Sequence, residues 1–224
     1  MSSASFQRAR VPEHKEQRRN DLLAAARRLL ATDGLAGVGL SAIAREAGLA
    51  KSNVYRYFGS QEEILLALLA DDIGAWLVTF EREVAPLAGS GDPDAVAAIL
   101  ARTIAAHPLT CELISVVAGV LERHVTPEAA EQFKAHMLEL SIRVRNAIQV
   151  ALPAIALEQV AAFVRYLHAL IGGLWPMAHP AEPMSTILCR REYASLVCDF
   201  ESDLRGALEP MLRGLCLRAP SRGA

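Results

Sequence analysis

Apolar residues recur along this chain at spacings of three and four, and no stretch alternates strictly between apolar and polar positions, so the pattern predicts helices throughout. The first periodic segment opens near Pro12 and Glu13, places Leu22, Ala26, Leu29 and Leu30 on one face, and stops near Asp33-Gly34. Residues 1–11 are polar, basic and aperiodic, and are expected to form a flexible arm. After the turn GLAGVG a second helix runs from about Leu40 to Ala47, burying Leu40, Ile43, Ala44 and Ala47, and Gly48 ends it because a residue without a Cβ suits the tight turn that follows. A third helix is predicted from Lys51 to about Tyr57.

Gly59 breaks the chain, and Ser60 with Glu63 three residues later makes a capping box for a fourth helix. That helix carries Leu65, Leu68, Leu69, Trp76, Leu77, Phe80 and Val84 on one broad stripe; if it reaches Ala85 it is about 25 residues, or ~38 Å, long. Five more helices are expected. One starts at Asp92-Pro93, with aspartate as cap and proline at the first helical position, and one follows Pro108 and is apolar nearly all round. The next begins at Thr126-Pro127 and presents Phe133, Met137, Leu140, Val144 and Ile148. The last two span roughly Leu157 to Trp175 and Tyr193 to Leu215, for about nine helices in an all-α fold.

Composition adds a division that periodicity does not. Net charge over 224 residues is −2, yet residues 1–60 hold ten Lys/Arg against five Asp/Glu, leaving thirteen against twenty for the remainder. A basic N-terminal part joined to an acidic body suggests a polyanion-binding module carried by something with another task. Cys111, Cys189, Cys198 and Cys216 show neither CxxC nor Cys/His ligand spacing, so no disulfide framework, metal site or cofactor is implied. The first residues lack an apolar signal-like run, and Ala154 to Trp175 is interrupted by Glu158, Arg165 and His168, so a cytoplasmic protein with no membrane association is expected.

The chemistry concentrates in KSNVYRYFGSQEE, Lys51 to Glu63. Stepping ~100° per residue puts Val54 and Phe58 on one side of the third helix and Ser52 and Arg56 on the other, with Asn53 and Tyr55 flanking them and Tyr57 at the margin. Hydroxyl, amide, guanidinium and phenol together form a set that reads base edges and phosphates.

Ala44, Gly48, Leu49, Lys51, Val54, Tyr55, Tyr57 and Phe58, in AIAREAGLAKSNVYRYFGSQEE, resemble the helix-turn-helix of TetR-family (tetracycline-repressor-like) transcriptional regulators, over about residues 14–70. The resemblance implies a three-helix DNA-binding head over residues 12–59 and a helical effector-binding and dimerisation domain over 60–218. It makes Lys51 and Tyr57 phosphate contacts and Ser52, Asn53, Tyr55 and Arg56 the groove-facing set on a pseudo-palindromic double-stranded operator. Two positions depart from the family pattern. Gly39 stands where a hydroxyl residue is common at the start of helix 2, with Ser41 a partial substitute, and Gln61 replaces a frequent lysine. Arg8, Arg10, Lys15, Arg18 and Arg19 are candidates to compensate.

In the body, the resemblance implies a homodimer through the last two long helices. Phe163, Leu167, Ile171 and Leu174 on one, with Val197, Phe200, Leu204, Leu208 and Met211 on the other, form the expected seam. A hydrophobic small-molecule effector is expected among Trp76, Phe80, His107, Cys111, Ile114, Phe133, Met137, Tyr166 and Trp175. GLWPMA and VLERHVTPEAAEQFK resemble segments of one C-terminal subgroup of the family, which bears on fold and names no ligand. A pocket and a packed core share the same composition. A repressor released by an effector and a regulator governed by a protein partner are therefore both compatible with these residues. Catalysis is not expected: His107 and Cys111 are four apart, but Pro108 between them marks a helix start and no orienting acid is evident.

Overall fold

The computed structural model describes the backbone of residues 4–217 and the side chains of residues 15–217 other than Ala36. Regular structure among these residues is entirely helical, in ten α-helices and three short 3-10 turns. The described residues form two compact units, residues 4–68 with 119–133, and residues 69–118 with 134–217.

The first unit contains α1 (Ala4–Gly37), α2 (Leu40–Glu46), α3 (Lys51–Val54) and the opening turns of α4 (Gln61–Val84). It also takes in a 3-10 turn at Leu121–Arg123 and the start of α7 (Pro127–Ala151), which periodicity alone had placed with the body. Leu22, Leu23, Ala25, Ala26 and Leu30 of α1 are buried at helical spacing, as are Ile43, Ala44, Val54, Phe58, Ile64, Leu65, Leu68 and Leu121. α1 starts at Ala4, eight residues before the expected Pro12, so residues 4–11 are helical and no arm. The Ala4–Arg10 segment holds good helix formers and no glycine, and a helix without an apolar stripe is invisible to a periodicity argument. The expected stop at Asp33-Gly34 survives as a kink, with Gly34 at φ 64°, ψ −169°.

The turn between α2 and α3 is closed by two reaching-back bonds. Leu49 N donates to Ala44 O at 2.8 Å and Gly48 N donates to Arg45 O at 3.1 Å, the pair that caps a helix when the residue after its end is left-handed. Gly48 has φ +67°, and a Cβ there would meet nothing within 4 Å. Gly48→Ala is therefore expected to cost about 1–2 kcal/mol from backbone strain alone, with Gly48→Asn costing less, measured by urea denaturation. α3 is shorter than its predicted span. Arg56 N and Tyr57 N bond back three residues, to Asn53 O at 3.2 Å and Val54 O at 2.9 Å, so the chain tightens after Val54 instead of continuing as α-helix.

The second unit holds the rest of α4 and α7 with α5 (Pro93–Ala105), α6 (Pro108–Val117), α8 (Leu157–Ala178), α9 (Met184–Leu188) and α10 (Phe200–Leu217). Asp92 caps α5 as expected, its Oδ1 accepting from Asp94 N and Ala95 N at 3.0 Å each. α10 packs on α5 and α8, and α6 packs on α8. Arg213 reaches Asp94 with both nitrogens at 2.6 Å, and Arg143 reaches Glu81 at 3.0 and 2.6 Å. These bidentate pairs are solvent-exposed, so they orient helices more than they stabilise them.

The last helix begins at Phe200 rather than Tyr193. Asp199 is the reason: its Oδ1 accepts from Ser202 N at 2.9 Å, while its own N–H donates to Asp203 Oδ2 at 2.9 Å, a reciprocal cap that fixes the start. Tyr193 to Leu196 instead belong to a 3-10 turn, and no residue from Ala181 to Asp199 is buried.

Candidate functional site

The α3 surface is built by opposing demands on one short segment. Val54 is fully buried and Phe58 is 5% exposed, so they dock the segment into its own unit. The opposite side then faces solvent by geometry: Lys51, Ser52, Asn53, Tyr55 and Arg56 are exposed and Tyr57 is half-buried. Ser41 on α2 is exposed, and Gln61 at the start of α4 is half-buried.

Of the basic residues expected to assist, Arg18 lies 3.4 Å from Asp21, and Arg19 lies 3.8 Å from Glu16 with its guanidinium 5.3 Å from the Phe58 ring centroid. Arg19 therefore covers the residue that docks α3. Lys15 is exposed, while the side chains of Arg8 and Arg10 lie outside the described residues.

The junction after α3 is tied by Glu63. Its amide donates to Ser60 Oγ at 3.2 Å, the expected half of a capping box. Its carboxylate departs from that pattern, accepting from Gly59 N at 2.6 Å through one oxygen and from Thr126 N at 3.1 Å and Thr126 Oγ1 at 2.9 Å through the other. Thr126 in turn accepts from Ala129 N at 3.3 Å, so one carboxylate closes the ends of three segments within the first unit.

The second unit contains a cavity of ≈80 Å³, several times the ~10–15 Å³ that one water requires. α4 contributes Ile73 and Trp76, and α5 and α6 contribute Ile104, Thr110 and Ile114. Met137, Leu140, Ser141 and Val144 come from α7, and α8 supplies the remaining wall, including Leu167, His168 and Ile171. Thus Trp76, Ile114 and Met137 lie where the effector set was expected, and six others do not. Phe80 is fully buried behind Trp76, stacked at 5.5 Å between centroids. His107 is the N-cap residue of α6, Phe133 belongs to the first unit, and Tyr166 is 56% exposed on α8. Trp175 stacks on His179 at 3.8 Å and meets Phe200 edge-on, away from the cavity. The polar wall residues Thr110 and Ser141 were missed because a lone hydroxyl in an apolar helix carries no pattern.

Cys111 is fully buried, and its thiol donates to Ile104 O at 3.5 Å. Burial pushes that thiol up to about 12, the reverse of what a nucleophile needs. Cys198 is raised to about 11 by burial and by Asp203. At pH 8 both stay protonated, so iodoacetamide is expected to label exposed Cys189 in the folded protein and Cys111 only after denaturation, as read by mass spectrometry.

The residues of the expected dimer seam differ in their burial within one chain. Phe163, Leu167, Ile171, Phe200, Leu204 and Leu208 are at most 5% exposed within one chain. They form its core, because the apolar stripe of α10 faces α5 and α8. Val197 is 59% exposed but precedes the helix in extended backbone. Leu174 and Met211 remain half-buried. A cleft between α8 and α10 is lined by Gln159, Ala162, Tyr166, Met211, Gly214 and Leu215 among others.

Residues 70–219 match the family model described as the tetracyclin repressor-like C-terminal domain, and residues 22–68 match that of bacterial regulatory proteins, tetR family. An HTH-type transcriptional regulator of Mycobacterium tuberculosis is 44% identical over 57 residues, 25% of this chain, and the match spans 24% of that regulator's length. The HTH-type transcriptional regulator BetI of Agrobacterium fabrum is 29% identical over 161 residues, covering 70% of this chain and 75% of its own. The crystal structure of a transcriptional regulator from Rhodococcus sp. Rha1 superposes with TM-score 0.54 at 19% identity, over 90% of this chain and 97% of that one, a likeness of fold. With one family model covering the head and another more than half of the chain, the protein belongs to the TetR family of bacterial regulatory proteins.

Proposed function

We propose that the protein is a dimeric, sequence-specific DNA-binding transcriptional regulator, a repressor that a small hydrophobic effector releases from a pseudo-palindromic operator. The observation that carries this reading is the α3 surface. Ser52, Asn53, Tyr55 and Arg56 stand exposed over a docked Val54 and Phe58, and among the described residues no hydrogen bond within the chain occupies their side chains. Donors and acceptors held outward and unspent suit base edges, with Lys51 and Tyr57 on the phosphates and Ser41 and Gln61 as lesser contacts.

Dimerisation follows from what such a short element can read. One four-residue helix spans few base pairs, and two related by symmetry read two half-sites. α8 supports the pairing: only 22% of the most apolar window of this 22-residue helix is buried within one chain. The uncovered part, with Tyr166 and the cleft beside Met211, is the face assigned here to a second copy.

Effector release requires the ligand to bind the DNA-free conformation more tightly, since equal affinity for both would shift nothing. Ile73 and Trp76 put the cavity wall on α4, the helix whose first turn follows Tyr57 and Gly59. Fluorescence anisotropy with genomic fragments at rising salt tests the first step. A preference for one fragment over random DNA at moderate salt is expected, and equal binding to all fragments overturns specific repression.

A further inference from the structure

We propose that the cavity of the second unit takes an uncharged, slender apolar molecule bearing a single hydroxyl group; this deepens, and rests on, the effector-responsive reading above. Most of the wall is hydrocarbon, from residues such as Ile104, Leu140, Val144 and Leu167. The few polar atoms then decide the ligand's class, and each can be followed to its partner.

Trp76 offers only its ring, because its Nε1–H donates to Thr103 Oγ1 at 3.1 Å. Thr110 is fully buried, and its hydroxyl donates to Asp72 Oδ2 at 3.3 Å. With that hydrogen committed, Thr110 presents only acceptor lone pairs to the cavity. Ser141, half-buried on α7, has no hydrogen-bond partner among the described residues, so its hydroxyl is free to donate or accept. A ligand hydroxyl both donates and accepts and so is satisfied by either residue. A hydrocarbon leaves Ser141 without a partner, which is costly in an apolar site, and an ether can accept from Ser141 but has no hydrogen to give the lone pairs of Thr110.

Charged headgroups fare worse. A carboxylate needs several donors and finds only the Ser141 hydroxyl on the buried wall, because the Thr110 hydrogen already goes to Asp72 Oδ2. An ammonium brings three donors and a full charge to a wall that offers two hydroxyl oxygens and no carboxylate. His168, the one titratable wall residue, is exposed at the rim and does not supply a buried counter-charge.

The chain has two tryptophans, and Trp175 lies outside the cavity, so Trp175→Phe leaves Trp76 as the sole reporter. Titrating this variant with 1-hexanol, hexanoate and hexylammonium compares equal chains with different headgroups. The alcohol is expected to change Trp76 emission saturably, each ion to bind at least about tenfold more weakly, and Ser141→Ala to weaken the alcohol about fivefold. Thermal-shift measurement of the unaltered chain with the same three compounds guards against a fold defect in the variant. An ion that binds as tightly as the alcohol, or an alcohol that gives no saturable change by either readout, overturns the proposal. DNA affinity in saturating alcohol separates the two readings: binding without loss of DNA affinity sinks effector release and leaves the ligand class standing. An ion that binds and releases DNA does the opposite.

Discussion

Phe80→Ala is expected to lower the free energy of unfolding by about 3–5 kcal/mol. Phe80 is fully buried, and its ring stacks on Trp76 at 5.5 Å with 17° between planes. Truncation removes the ring's transfer free energy and leaves a void beside a side chain that cannot follow it, because the Trp76 indole is anchored to Thr103. Tyr55→Ala is the control: at 52% exposure the same class of truncation should fall within about 0.5 kcal/mol. Urea denaturation of both variants measures the difference. A loss below about 1 kcal/mol at Phe80 would show that the surrounding helices collapse onto the space.

The second large effect is on recognition. Arg56→Ala is expected to relax discrimination at one base pair of the operator by about 1–3 kcal/mol, roughly 5- to 150-fold, while binding to random DNA changes little. Lys51→Ala should instead weaken every sequence alike and reduce the slope of log affinity against log salt by ~1, the signature of a lost phosphate contact. Both side chains are exposed and neither supports the core, so folding is not the confounding variable. Parallel salt titrations with operator and scrambled duplexes read both numbers. If the two variants behave alike, the division between groove-facing and backbone-facing residues is wrong.

Much of the fold was legible because its devices are local. Asp92-Pro93, Ser60 and Gly48 announced helix boundaries that the backbone keeps, and the period of α4 located Leu65, Leu68, Trp76 and Phe80 correctly as buried. Docked and outward sides of α3 followed from the angular position of Val54 and Phe58. Boundaries without such devices were missed: α1 extends upstream with no apolar stripe to mark it, and Asp199 caps α10 from inside a run that still looked periodic.

The body sites were less legible for a different reason. An apolar residue on an amphipathic helix has the same sequence signature whether it faces its own core, a cavity or a second copy. Leu167 and Ile171, assigned from sequence to a dimer seam, turn out to be buried cavity wall, and Tyr166, assigned to the cavity, turns out to be exposed. Only the rotation of α8 about its axis separates these outcomes, and that rotation is set by packing against α6 and α10.

A fragment ending at Leu68 looks like a natural DNA-binding domain, but it would leave one oxygen of Glu63 without Thr126 and would lack Leu121, which is buried in the same unit. The head is thus a discontinuous domain, assembled from two stretches that ribosomal synthesis delivers well apart. Its final closure awaits the arrival of Thr126, long after the recognition segment itself has been made.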